Sequence, residues 1–358
     1  MGSNPTLSAI ENLTPRNGGI RTGLFEPPSP DSLINGSAKP HPKDSVIIGK
    51  PMDNAIALSN VSKSFGKFRA VDNLSLGVPR GAMFGLLGPN GAGKTTTIRM
   101  IMNITAPDSG DVRILGQPMD RQMQNRIGYL PEERGLYRKM RVIDHLYFLA
   151  AIKEVGREEA RRRITDWLDK MELRPWLNKK VDELSKGMQQ KIQFIATIVH
   201  DPDILILDEP FSGLDPLNVA LMREYFLEFR ARGKTIVFCT HVLEQAERLC
   251  DEITLMARSK KVLEGSMKEL KRRYSQDLLR IAMDASLEEV RMLPGVASAK
   301  AVDGTFVVGL VPGTDRREFL RRTLDRYRID AFSQKEPELE EIYIDAVRSA
   351  GIEERTIE

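Results

Sequence analysis

The stretch GPNGAGKTTTIRM, residues 88–100, follows the apolar run MFGLL at 83–87 and leads into residues 95–103, whose apolar spacing is that of a helix. Strand, glycine-rich turn and helix in that order, with the pattern G-x-x-x-x-G-K-[ST] in the turn, make a cradle for phosphate. Successive backbone N–H groups and the positive end of the helix face the anion, and the glycines let the chain approach it closely. Gly88, Pro89, Asn90, Gly91, Ala92, Gly93, Lys94, Thr95 and Thr96 are therefore the candidate nucleotide-binding residues. Lys94 brings a point charge to the β- and γ-phosphate oxygens, and Thr95 offers a hydroxyl to Mg2+.

Downstream, DILILDEP at residues 203–210 reads as a buried strand ending in two carboxylates, Asp208 and Glu209. The C-terminal edge of a parallel sheet is where α/β folds place their ligands. Asp208 is the candidate Mg2+ residue, acting through water, and Glu209 the candidate for polarising an attacking water. A second such strand, KTIVFCTH at 234–241, ends in His241, and a helix over 216–231 lies between them. That alternation argues for a parallel α/β core.

Around this core the organisation is legible in outline. Residues 1–52, with EPPSPDS and AKPHPKD, carry too few spaced apolar residues to offset ordering entropy and read as a disordered extension. Short β runs follow at 55–65, 70–81 and 82–88, with a further turn and strand in APDSGDVRILG at 106–116. Residues 134–184 are mostly helical in pattern. From about 266 the order is strand, helix, a hairpin around Asp303 and Gly304, helix, strand, which suggests a small ferredoxin-like module, with a last helix over about 339–347 packed on it. The expected domains are thus 1–52, 53–265 and 266–358.

Composition narrows the function. A net charge of +3 from 53 basic and 50 acidic residues gives no electrostatic reason to expect nucleic acid. Cys239 and Cys250, the two cysteines, read as buried free thiols. No apolar stretch reaches the roughly 20 residues needed to span a bilayer, and no secretory signal opens the chain, so a cytoplasmic protein is expected. Met1, Gly2 and Thr6 match the loose myristoylation pattern, which recurs by chance.

Four further motifs stand in order with the first two, and together they resemble the ATP-binding cassette (ABC) family of transport ATPases across residues 55–265. LSKGMQQK at 184–191 resembles the family's signature, SGLDP at 212–216 its D-loop, and His241 its switch histidine, while Phe65 stands where the family stacks an aromatic ring on adenine. The resemblance implies a P-loop NTPase fold with a helical subdomain, ATP and Mg2+ as cofactors, and two ATP sites shared across a homodimer or heterodimer. Ser185, Gly187 and Asp215 would complete the neighbour's site, and Lys94, Glu209 and His241 would be catalytic. Glu132 replaces the family's usual glutamine at a position that senses metal and the membrane partner, and Lys186 and Met188 depart from the signature.

EERGLYRKM at 132–140 and the C-terminal module resemble the ATPase subunit of bacterial sodium-extrusion and drug exporters. That implies a separate permease subunit, docking by a short cytoplasmic helix, and a location peripheral to the inner face of the membrane. The rival expectation is an ABC ATPase acting on ribosome or nucleic acid. The single cassette and the lack of a coiled-coil insertion weigh against it.

Overall fold

The computed structural model describes residues 54–133, 135–275 and 278–351, and these lie within one compact unit. The expected N-terminal extension and the myristoylation pattern fall outside the described residues.

The long hairpin β1 (Asn54–Phe65) and β2 (Phe68–Pro79) leads to β3 (Met83–Leu87) and α1 (Lys94–Ile101). Then come β4 (Ser109–Ile114), α2 (Arg121–Asn125) and β5 (Ile127–Leu130). The helical stretch comprises α3 (Val142–Ile152), α4 (Arg157–Lys170) and α5 (Lys186–Ile198). The chain returns to the sheet through β6 (Ile204–Asp208), α6 (Pro216–Ala231), β7 (Thr235–Thr240), α7 (Leu243–Leu249), β8 (Glu252–Ala257) and β9 (Lys260–Ser266). The remainder is α8 (Met267–Tyr274), β10 (Leu278–Met283), α9 (Leu287–Arg291), β11 (Val296–Val302), β12 (Thr305–Leu310), α10 (Arg316–Leu324), β13 (Ile329–Gln334) and α11 (Leu339–Ser349).

The central six-stranded sheet has the order β5-β6-β7-β3-β8-β9, parallel except for the antiparallel edge strand β9. Its strands alternate between two cores, as a pleat demands. Leu205, Leu207, Ile236 and Phe238 face the helices α3 to α6, while Ile204, Ile206, Val237 and Cys239 face α1 and the antiparallel sheet β2-β1-β4. Burial on both faces explains why these strands read as continuous apolar runs rather than alternating ones.

The expected βαββαβ module is present as an antiparallel sheet of order β11-β12-β10-β13, its first and third strands central. Its apolar core, including Leu279, Ile281, Val308 and Phe319, is closed by α9 and α10. The last helix differs from expectation. Leu339 and Ile342 of α11 join the core of the six-stranded sheet, against α7, α8 and β9. The reason is geometric: the small sheet's apolar face is already covered, so the stripe that begins with Leu339, Ile342 and Tyr343 finds its partner on the larger core. Two carboxylates fix the helix. Glu247 of α7 accepts the Leu339 N–H at 2.9 Å and pairs with Lys271 at 2.6 Å, and Glu341 pairs with Lys300 and Lys335 of the small module's side.

Candidate active site

Strand register brings the candidate residues to one edge. β7 lies between β3 and β6, with Leu87 opposite Thr240 and Asp208 opposite Cys239. The phosphate loop, the carboxylates and His241 therefore leave the sheet at the same level.

In the loop, a Cβ on Gly88 would lie 2.1 Å from the Met256 carbonyl oxygen, and one on Gly93, at φ +103°, would lie 2.3 Å from that of Ala70. Only glycine lets the turn nest this deeply. Pro89, Asn90 and Gly91 are exposed, Ala92 is buried, and Thr95 and Thr96 are half-buried at the start of α1. Lys94 is 6% exposed, and its Nζ donates to the carbonyls of Gly88 at 2.7 Å and Pro89 at 3.1 Å. No ion pair holds it among the described residues. A buried ammonium satisfied only by neutral carbonyls in a cradle of N–H groups is a site that gains from an anion.

Beneath the loop, the Thr95 hydroxyl stands 3.4 Å from Asp208 Oδ2. Burial pushes the Asp208 carboxyl up from its ordinary range; the Cys239 thiol and Lys94 pull it down, and Glu132 and Glu209 push it further up. A carboxylate left costly in this way is stabilised by a cation. No group of three His, Cys, Asp or Glu side chains forms a ready metal cage among the described residues. The set fits Mg2+, which keeps water and phosphate oxygens as ligands and needs few from protein. Glu132, on the exposed turn after β5, adds negative charge that Asp208 feels.

Glu209 sits at φ +47°, an uncommon conformation for a residue with a side chain, stabilised by its N–H bond to the Cys239 carbonyl at 2.9 Å. Its Oε1 accepts the His241 N–H at 2.9 Å and lies 2.6 Å from His241 Nδ1, while Oε2 accepts the Thr240 hydroxyl at 2.8 Å. The Thr240 oxygen itself accepts the Val242 N–H, which leaves its single proton for Glu209. A carboxylate oxygen only accepts, so in this contact Nδ1 of His241 is the donor. Sequence reasoning missed Thr240, although a hydroxyl residue between strand and histidine was its available signal.

Ser185, Gly187 and Asp215 stand elsewhere. Ser185 is the exposed N-cap of α5, its hydroxyl accepting the Met188 N–H at 3.2 Å. Asp215 caps α6, and its bonds to the N–H and side chain of Asn218 hold its carboxyl below the ordinary range. A Cβ at Gly187 would be 3.7 Å from Leu214, so signature and D-loop are neighbours. No hydrogen bond or ion pair joins Ser185, Gly187 or Asp215 to the phosphate loop among the described residues. Phe65 is 51% exposed at the tip of the first hairpin, opposite the likewise exposed Phe68 at 60%, with Lys63 over its ring.

Known proteins resemble this chain along most of its described length. The family described as ABC transporter matches residues 71–212, and the DrrA1-3-like ATP-binding protein C-terminal domain matches 265–347. An uncharacterized ABC transporter ATP-binding protein, YhaQ of Bacillus subtilis, is 40% identical over 82% of this chain and 98% of its own length. The chain belongs to the ABC transporter ATP-binding proteins. As a member of that family it is an ATPase. The Nod factor export ATP-binding protein I of Paraburkholderia xenovorans is 39% identical over 59% of this ABC protein and 71% of its own length. Among solved structures, an ATP-binding subunit of an ABC transporter superposes with a TM-score of 0.59 at 30% identity, covering 66% of this chain and 97% of that one. The dimeric cassette MJ0796 gives 0.56 at 25% identity, covering 59% and 98%.

Proposed function

We propose that this chain is the ATP-hydrolysing subunit of an export-type ABC transporter, which dimerises around two ATP molecules and drives a separate permease from the inner face of the membrane. The observation that carries the reading is the division of the site. Lys94, Thr95, Asp208, Glu209 and His241 gather at one sheet edge, whereas Ser185, Gly187 and Asp215 lie apart from it around the adjoining signature and D-loop, which supports a reading in which they serve the nucleotide of another copy. The name of the Nod factor export relative supports the direction. Among the described residues no helix is long and apolar enough to cross a membrane, which fits a peripheral subunit with its transport path in a partner. Tyr137, exposed in the loop that follows Glu132, and Phe148, exposed and packed edge-on against it, would receive that partner's helix. The ATPase part is proposed as 53–265 and the smaller α+β part as 266–358, whose helices α8 and α11 pack back on the ATPase core.

In this reading Lys94 and the loop N–H groups hold the β- and γ-phosphates, and Phe65 stacks on the base. Mg2+, when bound, neutralises phosphate charge, and Thr95, Asp208 and Glu132 would hold it directly or through water. Glu209 polarises the attacking water and His241 keeps the carboxylate and the γ-phosphate in register. ATP drives the dimer only through its different affinity for the open and closed states. Glu209→Gln is expected to reduce steady-state phosphate release at least a hundredfold and to trap an ATP-bound dimer on a sizing column. Normal turnover by that variant removes Glu209 from the role, and recovery of the chain with ribosomes instead of a polytopic membrane protein removes the transport reading.

A further inference from the structure

Helix α5, which begins at the signature serine, is apolar wherever it meets the core except along one stripe. Gln190, Gln193 and Thr197 stand at i, i+3 and i+7, 3%, 5% and 6% exposed, among Ile192, Phe194, Ile195 and Ile198. Gln190 Nε2 donates to the Pro210 carbonyl at 3.1 Å, and Gln193 Nε2 donates to the Pro131 carbonyl at 3.0 Å. Pro210 follows Glu209 and Pro131 precedes Glu132. One helix face thus grips the chain directly beside each of the two carboxylates. Thr197 differs: its hydroxyl lies 2.9 Å from Gln193 O of its own helix and 3.4 Å from Tyr129 O, so its one proton stays within the helix.

Such a stripe is not what packing alone selects. A buried amide must be hydrogen-bonded or it costs free energy, and an apolar side chain of the same length fills the space without that demand. Gln193 even leaves its Oε1 buried without a partner. What the amides add is direction, because each fixes a carbonyl, and through it the next peptide, at a set distance from the helix. The helix is also pressed close to the sheet: a Cβ on Gly128 of β5 would lie 2.5 Å from the Thr197 carbonyl oxygen.

We infer that Gln190 and Gln193 are positioning residues for the reaction, Gln190 holding the turn that carries Glu209 and Gln193 the turn that carries Glu132. Displacement of α5 at its Ser185 end is thereby transmitted to both carboxylates of the same protomer. The inference rests on the roles proposed above for Glu209 and Glu132. It deepens them by naming the element that sets their positions.

Phosphate release by the full chain, measured against ATP and against Mg2+, tests it. Gln190→Met removes one donor at nearly constant volume and is expected to lower kcat about tenfold or more, the size of a sub-ångström to 1 Å misplacement beside a reacting group, with KM for ATP within about twofold. Gln193→Met is expected to raise the Mg2+ concentration for half-maximal activity about tenfold, with kcat at saturating Mg2+ nearly kept; Gln193→His, which restores an N–H donor, is expected to recover most of it. Thr197→Val is the structural reference, expected to move the melting temperature and neither kinetic parameter. Wild-type kinetics for both methionine variants below their melting temperatures would overturn the inference. So would losses that simply track melting temperature across all three positions.

If a methionine variant does not fold, hydrogen exchange on the wild-type chain decides. A nonhydrolysable ATP analogue should protect α5 and the amides around Glu132 together, and protection of one without the other overturns the link. Glu209→Gln is assayed beside these variants. Were it active, the role of Glu209 would fail first; were it inactive while Gln190→Met behaved as wild type, only the present inference would fall.

Discussion

Replacing Leu339 by alanine tests whether α11 belongs to the ATPase core. Leu339 is fully buried in the core cluster that contains Leu205, Leu207 and Phe238, on the helix side of the central sheet. The substitution removes about three buried carbons at about 0.8 kcal/mol each, and the cavity left behind raises the loss to about 3 kcal/mol. With an m-value of about 2 kcal/mol per M in urea, the midpoint of unfolding falls by about 1.5 M. The chain supplies its own reporter. Its two tryptophans are Trp167 and Trp176, and Trp167 in α4 packs on Phe194, Tyr225 and Phe229, on the helix side of the same core and outside the small C-terminal sheet. Tryptophan fluorescence during urea unfolding is therefore expected to shift in the variant. A tryptophan transition unmoved by Leu339→Ala, with only the far-ultraviolet signal of the C-terminal sheet altered, would refute the placement of α11.

Three further outcomes are expected. Gly88→Ala drives its Cβ to 2.1 Å from the Met256 carbonyl oxygen, so the phosphate loop must shift; ATP affinity, read by a fluorescent analogue, should fall at least tenfold while the fold persists by circular dichroism. Thr240→Val deletes the hydroxyl that orients Glu209 Oε2 and should lower kcat about tenfold with KM nearly unchanged, whereas Thr240→Ser should keep most activity. Burial raises the Glu341 carboxyl, but the bonds from Lys335, Lys300 and the Glu338 N–H outweigh it and carry its pKa down to about 2. The stabilisation is then complete above the ordinary glutamate range and fades as pH falls from there towards 2. Glu341→Gln should accordingly lower the melting temperature at pH 7 and make a shrinking difference below pH 4.

The parts of the fold that could be read from sequence were those whose local signal agrees with their final burial. The helix 216–231 starts at Asp215 and Pro216, a cap and a first-turn proline, and the structure has it over those residues. β6 and β7 were legible because strands buried on both faces are apolar throughout. β5 was not: IGYL is four residues long, contains a glycine, and becomes a strand only because β6 lies beside it. β9, KKVLEGS, is half-exposed and polar, so edge position and not composition makes it a strand. The phosphate loop, carboxylates and histidine stood out because their chemistry is tied to fixed spacings. The contacts that hold those groups, from Thr240, Gln190 and Gln193, were hidden because hydroxyls and amides occur everywhere on a sequence and gain meaning only from the backbone they meet.

The return of α11 to the central sheet also bears on how this protein is made. A core that includes Leu339 and Ile342 is incomplete when β8 and β9 have been synthesised, since these side chains emerge some 80 residues after Ala257. At about 5–20 residues per second, the ATP-binding fold spends on the order of ten seconds with an open apolar seat beside α7. During that interval the helix just beyond His241 is the exposed seam of the nascent chain, and a ribosome that stalls before residue 339 would release a product marked for chaperones by that seam.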